Sequence, residues 1–219
     1  MFYEYTKIPT IFKRDTNGSK KLIEGDFTSD EIAYLANLPW ICTEKIDGTN
    51  IGIVWDGHKV SFQGRTERSD IPKNLLDRLE ELFGGIKNEE LFEQVFGNKY
   101  VIFYGEGYGH KIQKVGDLYN PENVDFILFD VYFPDSDLYL KRHNVEDVAS
   151  IFNIDVVPII GDGVDLNSAV EFIKRKPVST LNNNCPMEGL VCKPYVELRD
   201  REGKRIITKI KVCDFDLNE

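Results

Sequence analysis

The sequence predicts an α+β fold of mainly antiparallel sheets flanked by helices, and three observations predict it. Runs of β-branched and aromatic residues, such as 124–133, are bounded by Gly, Asn and Asp turns. Between them fall helical stripes of apolar residues, such as Leu75, Leu76, Leu79, Leu82 and Phe83. Strands and helices follow one another in no strict alternation, which disfavours a doubly wound parallel sheet. No internal repeat, low-complexity tract or linker interrupts the 219 residues, so a single domain over 1–219 is expected.

Taken in order, residues 1–27 read as short extended pieces around turns, the clearest being Asp15-Thr16-Asn17-Gly18-Ser19. Thr28-Ser29-Asp30-Glu31 has the spacing of a capping box and predicts a short helix ending before Pro39. Residues 40–55 read as two strands around the polar turn Asp47-Gly48-Thr49-Asn50, with Gly48 supplying a positive φ. Asp56-Gly57 is a second turn, leading into a strand over 59–63. Helices follow over 72–83, closed by Gly84, and from a cap at Asn88 to Phe96, stopped by Gly97. A strand over 100–104 runs into the glycine-rich turn Gly105-Glu106-Gly107-Tyr108-Gly109. The strand over 124–133 is too apolar to face water on both sides. Asn144 caps a helix over 145–152, a strand follows over 156–160, and a helix over 168–176 ends at Pro177. Residues 180–186 are a loop, and 188–193 with 205–212 form a pair of strands.

Composition narrows the class. The apolar and charged fractions are those of a soluble globular protein, no run is apolar enough to span a bilayer, and the N-terminus lacks a secretory signal. Cys42, Cys185, Cys192 and Cys213 show no Cys-x-x-Cys spacing and read as buried reduced thiols, which places the protein in the cytoplasm. A formal charge of −10 argues against coating nucleic acid by bulk electrostatics. Positive charge is concentrated late, with seven Lys or Arg against three Asp or Glu between Lys193 and Lys211. His58, His110 and His143 have no metal-ligand spacing and read as structural or solvated.

The chemistry centres on Lys45, at the end of an apolar strand and beside a tight turn. Loss of solvent and nearby cations would both favour an unprotonated, nucleophilic amine. Transfer of a nucleotide to such an amine needs cations on the phosphate oxygens, a carboxylate-held divalent metal, and a ring and acceptors for the base and sugar. Candidates occur in order: Glu44 beside the lysine, Arg65 at the next strand end, Glu106 among small neighbours, Phe129 and Asp130 on opposite sides of a strand, then Glu188 and Lys193. Lys209 and Lys211 are two apart on a strand, so their amines share a face and call for an anion.

Glu44 to Asn50 (Glu-Lys-Ile-Asp-Gly-Thr-Asn), Gly64 to Thr66, Tyr104 to Gly109 (Tyr-Gly-Glu-Gly-Tyr-Gly), Phe129-Asp130, Glu188 to Pro194 and Lys209 to Lys211 form an ordered set. This set resembles the nucleotidyltransferase domain of ATP-dependent RNA ligases. It is most similar to the double-strand-sealing ligases of bacteriophages and the RNA-editing ligases. The resemblance covers residues 40–214 and implies an ATP-grasp-like adenylation domain using ATP and Mg²⁺ or Mn²⁺ on RNA ends or nicks. It implies that Lys45 forms lysyl-AMP, with Lys209 and Lys211 on the phosphates as catalytic partners. Glu44, Ile46, Asn50, Arg65, Glu106, Phe129, Glu188 and Lys193 would be nucleotide-binding positions. Among them Glu44 would contact the adenine, Phe129 stack on it and Glu106 take the ribose. Glu188 and Asp130 would hold the metal. Only eight residues follow Lys211, so no C-terminal OB or helical module is expected, and an RNA-binding partner protein is left open. A DNA ligase, a capping-type guanylyltransferase and a non-catalytic nucleotide-binding adaptor remain as alternatives, and viral or cellular origin is undecided.

Overall fold

Near-continuous burial along the β-branched and aromatic runs of the larger sheet, with glycines where neighbours press closest, marks the strands in a computed structural model that describes residues 2–17 and 20–215. In chain order they begin with β1 (Phe12–Arg14), β2 (Leu22–Phe27), α1 (Asp30–Leu35), β3 (Trp40–Lys45), β4 (Thr49–Trp55) and β5 (Val60–Gln63). Then come α2 (Lys73–Phe83), α3 (Ile86–Phe96), β6 (Val101–Gly109), α4 (Gly116–Tyr119), β7 (Val124–Phe133) and β8 (Leu138–Tyr139). The last are α5 (Arg142–Phe152), β9 (Asp155–Val156), β10 (Ile159–Val164), α6 (Leu166–Lys174), β11 (Gly189–Pro194) and β12 (Thr208–Lys211). Every pairing of named strands is antiparallel except that of β9 with β7, as the α+β reading expects.

The chain divides into two compact units. The first, residues 2–5 and 47–157, is built on a sheet of order β5-β4-β6-β7-β8, with β9 on β7. Its core packs Ile51, Ile53 and Trp55 of β4 and Phe103 of β6 against Leu75, Leu79 and Phe83 of α2 and Phe92 of α3. These are the helical stripes legible in the sequence. Burying a large apolar side chain of this kind is worth about 1.5–3 kcal/mol.

The second unit, residues 6–46 and 158–215, has a sheet of order β10-β3-β11-β12 and the small β1-β2 ribbon. One side of the sheet carries Trp40, Cys42, Leu190, Cys192 and Ile210, which pack with Leu166, Ala169, Val170 and Ile173 of α6.

Several expectations need correction. The strands around 47–50 are not a hairpin: β3 and β4 belong to different sheets. Gly48 does not adopt positive φ. It is needed because a Cβ there would lie 2.3 Å from the Gly107 carbonyl oxygen and 2.8 Å from the Glu106 Cγ. The glycine-rich stretch at 105–109 is not a turn but the second half of β6. Its glycines face close neighbours, and a Cβ on Gly107 would meet Leu75 at 2.4 Å. Ser29, one residue later than the capping box requires, caps α1 by accepting from the Ile32 amide. Asn88 lies inside α3, which starts after Gly85, and its amide donates to the Gly84 carbonyl at 2.8 Å. Asn144 likewise lies inside α5, and α6 starts at Leu166 behind an Asp165 cap. The strand expected over 156–160 is two, β9 and β10. Gly18 and Ser19 of the first turn lie outside the described residues. Three cysteines are buried and free as expected, but Cys213 is exposed. No helix among the described residues is long and apolar enough to cross a membrane.

Candidate active site

In the second unit the strand register arranges the lysines. Lys45 of β3, Gly189 of β11 and Lys211 of β12 form one row across the sheet. Thr43, Val191 and Lys209 form the next, and Ile41 pairs Lys193 beyond it. No bulge interrupts these ladders, and side chains two apart on a strand leave on the same side. Lys45, Lys193, Lys209 and Lys211 therefore share the face opposite the core. Gly189 keeps the row between Lys45 and Lys211 clear of a side chain, since its own Cβ would meet the Ile210 carbonyl oxygen at 2.1 Å.

Glu188, immediately before β11, bridges that row. Its Oε2 accepts from Lys45 Nζ at 2.7 Å and its Oε1 from Lys211 Nζ at 2.6 Å. The anion that the paired lysines require is thus supplied in part by the chain itself. Burial pulls the Lys211 ammonium down, yet its hydrogen bond and charge pairing with Glu188 prevail and leave it above the ordinary lysine value. The Lys45 amine thus meets a carboxylate rather than only the cations expected around it.

Glu44 leaves β3 on the side opposite Lys45 and is 1 % exposed. Its Oε2 accepts from the Thr180 amide at 2.9 Å and from the Thr180 hydroxyl. Its Oε1 is buried with no hydrogen-bond partner among the described residues. Ile46, which follows β3, is buried. Lys193 and Lys209 are half-buried, and the Lys209 main chain is held by Pro9 and Ile11.

The remaining candidates belong to the first unit. Asn50 of β4 sits opposite Glu106 of β6, and both are half-buried. Arg65 is exposed on the segment after β5. Phe129 and Asp130 do not simply face opposite sides of β7. Tyr104 pairs Asp130 while Gly105 pairs Leu128, so Phe129 is the extra residue of a β-bulge. The bulge lets both side chains reach Tyr5: its ring meets Phe129 edge-on at 5.0 Å, and its hydroxyl donates to Asp130 Oδ2 at 2.6 Å.

Tyr5 and Thr180 were missed from sequence. Tyr5 lies in a segment without periodicity, and Thr180 beside an Asn-rich loop that reads as a connection. Among the described residues no cluster of three or more His, Cys, Asp or Glu is poised around a metal.

The fold is that of solved RNA ligases. A ligand-free point mutant of Naegleria gruberi RNA ligase superposes with a TM-score of 0.65 at 23% identity, over 97% of this chain and 60% of that one. Another point mutant of that ligase, with ATP and Mn, gives a TM-score of 0.63 at 25% identity, over 83% of this chain and 52% of that one. A third, also with ATP and Mn, gives 0.63 at 24% identity, over 83% and 51%. The chain thus spans between about half and three-fifths of the length of these ligases. No curated protein sequence matches it significantly. The sequence model of the RNA ligase family matches residues 38–211, and the chain belongs to that family.

Proposed function

We propose that this chain is the nucleotidyltransferase part of an ATP-dependent RNA ligase, with Lys45 as its nucleophile. The observation that carries the reading is the row of lysines on one sheet face, with Lys45 and Lys211 sharing Glu188. For Lys45 to attack, its amine must part from Glu188 and present a free lone pair, its proton passing to solvent. A bond then forms between Nζ and the α-phosphorus of ATP, the bond to the bridging oxygen breaks, and pyrophosphate departs. Lys193, Lys209 and Lys211 offset the charge on the phosphates. An oxygen of an RNA 5′-phosphate then attacks the AMP phosphorus as its bond to Nζ breaks, and a 3′-hydroxyl attacks the RNA 5′-phosphorus, forming the phosphodiester as AMP leaves.

Glu44 and Lys45 are the last two residues of β3, and their side chains leave on opposite sides of it. A purine lying across the strand end meets Glu44 from one side while its α-phosphate meets Lys45 from the other. The unsatisfied Oε1 of Glu44 suits a donor such as the adenine 6-amino group. Ile46 adds apolar surface beside it. In the first unit, Phe129 is proposed to stack on the base, Glu106 to bind the ribose, and Asn50 and Arg65 to make polar contacts.

A divalent ion, Mg²⁺ or Mn²⁺, would neutralise phosphate charge when bound. Such an ion takes many of its ligands from phosphates and water. Glu188 fits as its protein ligand, since each oxygen keeps a second lone pair beyond the one facing a lysine. Asp130 fits less well, being 1 % exposed and bonded to the Tyr5 hydroxyl.

The test is sealing of a 5′-phosphorylated nick in an RNA duplex, a single-stranded RNA and a DNA duplex, side by side with ATP and Mg²⁺. Sealing of RNA is the expected result. Sealing of DNA alone would move the chain to DNA repair, and sealing of none would overturn the reading.

A further inference from the structure

We infer that Thr180 is a positioning residue that sets base specificity by fixing the orientation in which the Glu44 carboxylate presents its unpaired oxygen to the nucleotide. The inference rests on the reading of this chain as an ATP-using nucleotidyltransferase and names what in it selects the base.

Glu44 is 1 % exposed, and its two oxygens are treated unequally. Oε2 accepts twice from Thr180, through the main-chain amide at 2.9 Å and through the hydroxyl. Oε1 is just as buried and accepts nothing among the described residues. Leaving a buried acceptor unpaired is costly, more so on a charged group, so a site of this kind is incomplete until a donor arrives. With Thr180 occupying Oε2, the carboxylate cannot turn freely, and Oε1 presents a fixed, acceptor-only group. Against it a 6-amino purine can donate. A 6-oxo purine offers a second acceptor and is repelled, and a purine with hydrogen at position 6 leaves Oε1 unpaired.

Thr180 is well placed to do this without touching nucleotide. It is exposed, and it follows Ser179, whose amide donates to the Cys185 carbonyl at 2.8 Å. The loop is thereby closed on itself, and Val178 bridges Pro186 across it. The Thr180 hydroxyl and amide are presented by a braced turn rather than by a free tail.

The arrangement makes an unusual demand of Glu44→Gln. Thr180 brings two donors, so the glutamine carbonyl is drawn to the Oε2 position and its amide nitrogen takes the place of Oε1. The group facing the base changes from acceptor to donor. Preference should then pass from 6-amino toward 6-oxo purines, provided Thr180 is present to orient the amide.

The experiment measures covalent labelling of the full chain by ATP, inosine triphosphate and purine riboside triphosphate, each carrying label on the α-phosphate. It compares the wild type with Thr180→Val, Thr180→Ser and Glu44→Gln, after thermal melts establish that each is folded. Wild type should favour ATP over the other two by about ten- to a hundredfold in kcat/KM. Thr180→Val should lose most of that ratio through a raised KM for ATP, while Thr180→Ser keeps it. Glu44→Gln should favour inosine triphosphate over ATP. If Thr180→Val keeps the wild-type ratio, or Glu44→Gln lowers all three equally, the inference is overturned. Should Thr180→Val fail to fold, the ratios of Thr180→Ser and Glu44→Gln decide the matter alone. Failure of the wild type to label with any triphosphate overturns the underlying reading as well, which separates the two outcomes.

Discussion

Lys45 and Glu188 are joined by a 2.7 Å ion pair, although 143 residues separate them in sequence. Antiparallel pairing of β3 with β11 brings them together, and the same carboxylate holds Lys211 at 2.6 Å. One carboxylate thus restrains two amines that would otherwise repel each other across Gly189. Replacing it by Gln should be felt at both.

At Lys211 the consequence is a pH dependence. Its folded-state value is raised above the ordinary 10.5, so its contribution to stability is fully present below that value. It is lost as pH rises through the raised folded value. Urea melts between pH 9 and pH 12 should show the wild type losing this contribution, no more than about 1 kcal/mol for a partly exposed pair. Glu188→Gln should be less stable at pH 9 and show a flatter alkaline decline.

Gly48 is held by close approach. Gly48→Ala puts a methyl group 2.3 Å from the Gly107 carbonyl oxygen, where only a backbone shift relieves the clash. A loss of about 1–3 kcal/mol is expected from overpacking of this kind. Denaturant melts would measure it, and an unchanged midpoint would show that the strand yields freely.

Tyr5→Phe removes the hydroxyl that donates to Asp130 but keeps the ring packed against Phe129. The buried carboxyl group then loses one bond, at a cost of about 1–3 kcal/mol. Tyr5→Ala should cost more, because the edge-on support of Phe129 goes as well. Paired denaturation curves separate the two contributions.

Thiol reactivity should distinguish one cysteine from three. Cys42, Cys185 and Cys192 are buried, and Cys213 is exposed. A thiol reagent should modify Cys213 alone in the native protein and all four in denaturant. Partial loss of solvent around its sulfur and the neighbouring Asp214 push the Cys213 thiol up although the residue is exposed, so its reaction should be slow at neutral pH and quicken in alkali.

Much of this architecture was legible because local pattern and tertiary context agree. The strand over 124–133 and the helix closing at Phe83 lie where apolar period and Gly breaks put them. Disagreement came where long-range packing decides. Apolar, β-branched residues on either side of a polar turn mark both β3 and β4 as strands, but they carry no information on which sheet each joins. Glycines at 105–109 read as a turn because glycine disfavours strands, whereas here small residues are what the neighbouring Phe126 and Leu75 leave room for. Asn88 and Asn144 have the chemistry of a cap, yet in these helices backbone geometry starts the turn earlier. For the candidate site, the shared face of Lys209 and Lys211 was legible from their spacing, while the register that sets Lys45 in the same row as Lys211 was not. Nor were the supports Tyr5 and Thr180, since a single hydroxyl meeting a distant carboxylate leaves no periodic trace.

Covalent capture of the nucleotide tests the central claim most directly. Wild type, Lys45→Ala and Lys45→Arg are incubated with Mg²⁺ and ATP labelled on its α-phosphate, then denatured and separated by size. Label should remain on the wild type, be discharged by added pyrophosphate, and be absent from both variants. A wild type that takes no label, or a Lys45→Ala protein labelled as strongly as wild type, would contradict the account.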